Sequence, residues 1–159
     1  MAEAIVDGSG IFVPARRIPV PITISTQAQG ILSSIPELGH EPFPPMADVE
    51  AWGSYIDKTN KAIIGFTKQQ AQTYPAKVAS HKLSFSNLYE STPENLDPER
   101  DDFAILYLHG GGFIMGGGDA AIYAAWPIAS LARTRIYSLD YRMIPEHPYP
   151  AALDDAVEA

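Results

Sequence analysis

An apolar run, Ile105-Leu106-Tyr107-Leu108, ends abruptly in His109 and three consecutive glycines, Gly110-Gly111-Gly112, ahead of the bulky Phe113. Glycine at the end of a strand costs backbone entropy and supplies no packing, so three in a row imply a backbone requirement. Without Cβ atoms the chain can turn sharply and bring successive N–H groups to one point. Donors arranged that way stabilise an oxygen that becomes negative during acyl transfer. Phosphate binding is the competing chemistry for a glycine-rich loop, but residues 110–118 contain no G-x-G-x-x-G and no lysine in the P-loop position. A loop that is only flexible would make poor use of the strand before it and of Phe113 after it.

A second group of reactive side chains lies in Asp140-Tyr141-Arg142-Met143-Ile144-Pro145-Glu146-His147-Pro148-Tyr149-Pro150, followed by Asp154 and Asp155. A histidine between carboxylates suggests catalysis. Three prolines, however, place His147 in a stiff loop, and Arg142, Glu146 and the two aspartates can be tied in internal ion pairs. Such charge constellations beside loops are commonly scaffolding, and that is the reading adopted for 140–155.

Composition removes several other classes. The 159 residues carry a formal net charge of −8 and no basic run longer than Arg16-Arg17, which argues against a nucleic-acid partner. With 46% hydrophobic and 19% charged residues the chain reads as globular. The absence of cysteine excludes disulfides, thiolate metal sites and a cysteine nucleophile. The first residues lack the basic start and apolar stretch of a secretory signal, and no apolar run is long enough for a bilayer. The expectation is a cytoplasmic protein without membrane association.

The elements that must position these groups can be read in order. Prolines recur through residues 11–45, leaving room for a short helix over 22–35 ended by Pro36. Asp48 is a natural N-cap for a longer helix to about residue 74, with Val49, Trp52, Ile56, Ile63 and Phe66 on its apolar face. Residues 78–90 alternate like a strand, with Leu83, Phe85 and Leu88 inward. Residues 103–108 read as a strand buried on both faces. Asp119 can cap a helix reaching residue 133, with Pro127 inside it. Residues 135–141 form another strand, and 151–159 open a further helix. Strand, helix, strand and helix in succession imply a crossover and a mostly parallel sheet.

His-Gly-Gly-Gly-Phe, followed about thirty residues later by Asp-Tyr-Arg-x-x-Pro-Glu-His-Pro-x-Pro-Ala-Ala, resembles the hormone-sensitive-lipase-like esterases, the α/β-hydrolase group also called bacterial family IV. The resemblance is close over residues 105–155 and looser before them. It implies an α/β-hydrolase fold, the first half of a mostly parallel sheet with flanking helices over 77–159, preceded by a helical cap over 1–76. It also implies a serine carboxylesterase cleaving short to medium acyl esters through an acyl-serine intermediate, without metal or cofactor. Gly111 and Gly112 would be the oxyanion donors and Gly110 the glycine that allows the turn. His109 would organise the loop, 140–150 would buttress it, and Phe113 and Met115 would be apolar wall residues or pack into the core. The second triplet, Gly116-Gly117-Gly118, exceeds the one or two glycines usual there and suggests extra freedom and a wider pocket.

What the family pattern places next is missing. No G-x-S-x-G occurs in the sequence; Ser130 and Ser138 lie in no such turn, and His40, His81, His109 and His147 have no positional claim to be the base. The sequence also stops in a helix after two or three core strands. The expectation is therefore an N-terminal portion, inactive alone, whose partner is the C-terminal half of the same enzyme as a separate or cleaved chain. A homo-oligomer is compatible with this. The alternatives are a non-catalytic small-molecule-binding protein on the same fold and a half-domain that acts as an interaction module.

Overall fold

The computed structural model describes residues 5–7, 10–12, 18–34 and 43–159. The chain divides into two compact units, residues 1–43 and 44–159. In the first, β1 (Ile5–Asp7) and β2 (Gly10–Phe12) form an antiparallel pair, and α1 spans Thr26–Ser34. This helix begins four residues later than the periodicity predicts, because Ser25 takes the cap position and its Oγ accepts the Ala28 N–H at 3.2 Å. Ile35 and His40 lie outside the described residues.

The second unit opens with α2 (Val49–Ala71), capped as predicted by Asp48, whose carboxylate accepts the Ala51 N–H at 3.0 Å. Its buried stripe is the predicted one only in part: Trp52, Ile56 and Ile63 are half-buried as expected. Val49 and Phe66 are exposed, whereas Ile56, Asn60 and Ile63 are half-buried and Thr67 and Ala71 are buried. With Trp52 these positions follow helical spacing, and towards its C-terminal end the stripe runs through the small Thr67 and Ala71 and not through Phe66, which permits close packing on α3.

The strands β3 (Ala76–Lys82), β4 (Asn87–Pro93), β5 (Ala104–Leu108) and β6 (Arg135–Asp140) make one sheet in the order β3-β4-β6-β5. The sheet is mixed. β5 and β6 are parallel, joined by α3 (Asp119–Ala132), while β3–β4 and β4–β6 are antiparallel. The single strand predicted over 78–90 is instead a hairpin, closed by Leu83 N–H to the Ser86 carbonyl at 3.1 Å. A turn this short can only reverse the chain. It is latched from outside: the Ser84 N–H and hydroxyl both donate to Glu158 Oε1, at 2.8 and 2.7 Å, at the end of α4 (Ala151–Glu158). Of the three apolar residues assigned inward, Leu88 is buried and Leu83 half-buried, but Phe85 is exposed and lies 4.4 Å from the Arg142 guanidinium.

Alternation along β6 divides the core. Ile136 packs with Ala125 and Ala129 of α3 and with Ile105 and Tyr107. On the opposite face Leu139 packs with Leu88 and Tyr141 against Ala152 and Ala156 of α4. The strand predicted to be buried on both faces is covered on one. β5 lies at the sheet edge, with Leu106 47% and Leu108 49% exposed. Among the described residues no helix is long and apolar enough to cross a membrane.

Candidate functional site

β5 delivers the chain into His109 and the glycine loop. Gly111, Gly112 and Phe113 have φ of +127°, +63° and +63°, backbone that favours glycine at the first two positions. Gly110 has no such angle; its carbonyl instead accepts from His109 Nδ1 at 2.9 Å, which fixes the proton on Nδ1. The Gly111 carbonyl accepts both the Ile114 and Met115 N–H groups at 3.2 Å, so the chain doubles back at once. A Cβ at Gly111 would overlap the Met115 carbonyl, and one at Gly116 (φ +93°) would lie 2.5 Å from the Gly110 carbonyl oxygen. The two limbs, 110–111 and 115–116, are thus in backbone contact. Among the described residues, the N–H groups of Gly111 and Gly112 make no hydrogen bond, and Gly112 is exposed.

The loop is held from several sides. The His109 ring is buried and stacks on Tyr141, with centroids 4.1 Å apart and planes 5° from parallel. The Tyr141 hydroxyl donates to the His109 carbonyl at 2.6 Å. Burial, with a smaller contribution from Tyr107, raises the phenol above its ordinary value, so it remains a proton donor at neutral pH. Tyr141→Phe should leave that buried carbonyl unpaired and cost about 1–2 kcal/mol in denaturant unfolding; an unchanged midpoint would show that the bond adds nothing to stability.

The second glycine triplet is a set of close approaches and anchors, not the free segment its composition suggests. Gly116 N–H donates to Asn60 Oδ1 of α2 at 2.8 Å, and Gly118 N–H to Asp140 Oδ1 at 2.8 Å. A Cβ on Gly117 would come within 2.7 Å of Asp140 Oδ1. Asp119 is the first residue of α3 and not its cap; Gly118 occupies the cap position with φ +58°, and the carboxylate comes from Asp140 at the end of β6. Further along, the Ile144 N–H donates to the Phe113 carbonyl at 3.0 Å. Residues 140–144 therefore contact the loop repeatedly, which is the buttress arrangement expected of them.

Beneath that buttress lies an ion pair. Asp155, 1% exposed, accepts the Arg142 backbone N–H at 2.8 Å, Nε at 3.0 Å and Nη2 at 2.7 Å. Among the described residues Glu146 and Asp154, also expected in ion pairs, make none. The His147 N–H donates to the Met143 carbonyl at 2.9 Å, in a loop with cis peptide bonds before Pro145 and Pro150. The 140–155 constellation thus works as scaffolding.

An apolar cavity of about 650 Å³ opens beside the loop, lined by Leu108, Phe113, Tyr141, Ile144, Tyr149 and Leu153 among others. Phe113 lines it as expected of a wall residue, whereas Met115 does not. No serine–histidine pair forms among the described residues. Ser138 is fully buried on β6, and His81 pairs with Glu90 at 3.0 Å across the β3–β4 hairpin. Asn60 was invisible to motif reading: a polar residue in the middle of a helical stripe reads as solvated until its partner, 56 residues away, is placed.

Residues 105–159 match the sequence profile of the α/β-hydrolase fold. The chain is 50% identical over 52 residues to the esterase LipI of Mycobacterium tuberculosis, covering 33% of this chain and 16% of that protein. It superposes on the crystal structure of an esterase, E25, with a TM-score of 0.80 and 28% identity over 92% of this chain and 46% of the other. A hormone-sensitive lipase from a metagenome library gives a TM-score of 0.52 and 26% identity over 65% of this chain and 34% of that one. The chain spans less than half the length of these proteins.

Proposed function

Residues 105–159 belong to the α/β-hydrolase fold in its hormone-sensitive-lipase-like form, and on that premise we propose that this chain supplies the oxyanion hole of a serine carboxylesterase. The observation that carries the reading is the pair of N–H groups at Gly111 and Gly112. They make no internal hydrogen bond, yet they sit in a loop anchored on both limbs. In this reading a serine and its histidine base come from a C-terminal segment outside residues 1–159. The serine gives its proton to the histidine and attacks the ester carbonyl, and the two glycine N–H groups bind the oxygen as it becomes negative. The C–O bond then breaks, the alcohol leaves with that proton, and water hydrolyses the acyl-serine to release the acid and restore the serine. Each donor is worth about 10²–10³ in kcat in comparable sites.

The open edge of β5 and the apolar cavity beside it support the partner assignment, since they are surfaces that a further strand and helix would cover. The remaining parts of the proposal follow the family: short to medium acyl esters as substrates, no metal or cofactor, residues 1–76 contributing a cap, a cytoplasmic location and a homo-oligomer. Hydrolysis of a p-nitrophenyl ester provides the test. The 159-residue chain alone should give no turnover above buffer. Fused to the C-terminal segment of a related esterase it should turn over, and should lose that turnover when the serine of the elbow is replaced. High activity of the chain alone overturns the split assignment. A fused, folded protein that binds esters without cleaving them would favour the non-catalytic binding reading.

A further inference from the structure

Of the anchors on the glycine loop, one comes from neither the loop nor its buttress. Asn60 lies half-buried in the stripe of α2 that also holds Ile56, Ile63, Thr67 and Ala71. The other members of that stripe are apolar or self-satisfied; the Thr67 hydroxyl bonds back to the Ile63 carbonyl at 2.9 Å. Asn60 alone among them reaches out, its Oδ1 accepting the Gly116 N–H at 2.8 Å. Gly116 is buried, so its N–H needs an acceptor, and an unpaired buried amide is costly. The Gly116 backbone rests directly against the Gly110 carbonyl, and the Met115 carbonyl rests against Gly111. Where Gly116 is pinned therefore decides where Gly111 and Gly112 can lie.

We propose that Asn60 is a positioning residue for the oxyanion loop, its side-chain carbonyl fixing Gly116 and, through the contact between limbs, the two donor glycines. The inference rests on the esterase reading for its purpose, but not for its test. α2 is otherwise tied to this region by packing on α3 and by Lys68, whose ammonium lies 5.9 Å from the Tyr123 ring centroid. Losing the Asn60 bond should therefore release the loop and leave the helix in place.

Amide hydrogen exchange and ¹⁵N spectra of the full chain provide the test. In Asn60→Leu the Gly116 amide should exchange at least about tenfold faster, the Gly111 and Gly112 resonances should shift, and the Ile136 and Leu139 amides of β6 should keep their rates. Asn60→Asp retains an acceptor oxygen and should restore both the Gly116 rate and the glycine resonances. Unchanged Gly116 exchange in Asn60→Leu overturns the proposal. So does a change at Gly116 that leaves Gly111 and Gly112 unmoved, or a loss of protection throughout β6, which would make Asn60 a packing residue. In the completed esterase, Asn60→Leu should lower kcat at least about tenfold with KM within twofold, and Asn60→Asp should recover it; an effect on KM alone overturns the proposal. Absence of turnover in the completed wild-type protein counts against the esterase reading, and the exchange result then still decides whether Asn60 sets the loop.

Discussion

Asp155→Ala is expected to destabilise the protein by about 1–3 kcal/mol, because it removes a buried carboxylate that accepts both the guanidinium and the backbone N–H of the partly exposed Arg142. The Arg142 guanidinium would stay partly buried against Phe85, and the Arg142 backbone N–H would lose its acceptor. Against a typical total stability of about 5–15 kcal/mol that is a large fraction, readable as a lowered denaturant midpoint. Asp155→Asn keeps an oxygen for the backbone N–H and should lose less. Replacing both partners by apolar residues should lie closer to wild type than Asp155→Ala does. A single alanine variant with the wild-type midpoint would contradict the assignment of Asp155 as a desolvated partner of Arg142. The sign of the pH dependence follows from the same contacts. Burial alone would raise the Asp155 carboxyl, but the Arg142 hydrogen bonds and charge outweigh it and hold the group below its ordinary value. The stabilisation is therefore complete above the unfolded carboxylate value of about 4 and is lost as pH falls through the lower folded value. The stability gap between wild type and Asp155→Asn should accordingly narrow under acid and stay constant towards neutrality.

The legibility of this molecule in its sequence varied with the range of the interactions involved. Asp48 as a cap, the strand ending at Leu108 and the strand after Arg135 are decided within a few residues, and each is found where the pattern puts it. The hairpin at 83–86 leaves little local trace, because serines, the weaker turn formers, are the only ones its turn holds, and because Glu158, which latches it, is 74 residues away. Burial of β5 was overestimated for a related reason: apolar sequence records which faces can be covered, and here Leu106 and Leu108 lie on the open one. At the candidate site the need for glycine is legible at Gly111 and Gly112, whose φ angles are +127° and +63°, but not at Gly110, which has no positive φ and where a Cβ would meet nothing within 4 Å. The meaning of the second triplet was not legible. Gly116 and Gly117 are required by the Gly110 carbonyl and by Asp140, contacts that no local pattern encodes. The same composition that suggested freedom marks a place where backbone meets backbone.

That crowding makes Gly111 and Gly112 unequal in the proposed oxyanion role, and the inequality is the sharpest expectation for the site. Gly111→Ala should reduce kcat of the completed esterase by about 10²-fold or more, the loss seen when an oxyanion donor is removed. At φ +127° an L-residue is strained, and its Cβ would overlap the Met115 carbonyl, which is backbone and cannot rotate aside. Relief requires the two limbs to part, which displaces both N–H groups. Gly112→Ala meets no atom within 4 Å and bears only the left-handed φ of +63°, a cost of about 1–2 kcal/mol. Its effect on kcat should therefore be several-fold smaller than that of Gly111→Ala. KM should change little in either, since the donors engage an oxygen whose charge develops only on the way to the transition state. Steady-state kinetics on the two variants separates three cases. A large loss at Gly111 and a smaller one at Gly112 fits donors held by limb-to-limb contact. Equal, large losses would mean that the loop tolerates no side chain anywhere, and that crowding against Met115 is not what holds it. Near-wild-type kcat in Gly111→Ala would remove the oxyanion role altogether, because no geometry that accepts a Cβ there leaves the N–H where it is now.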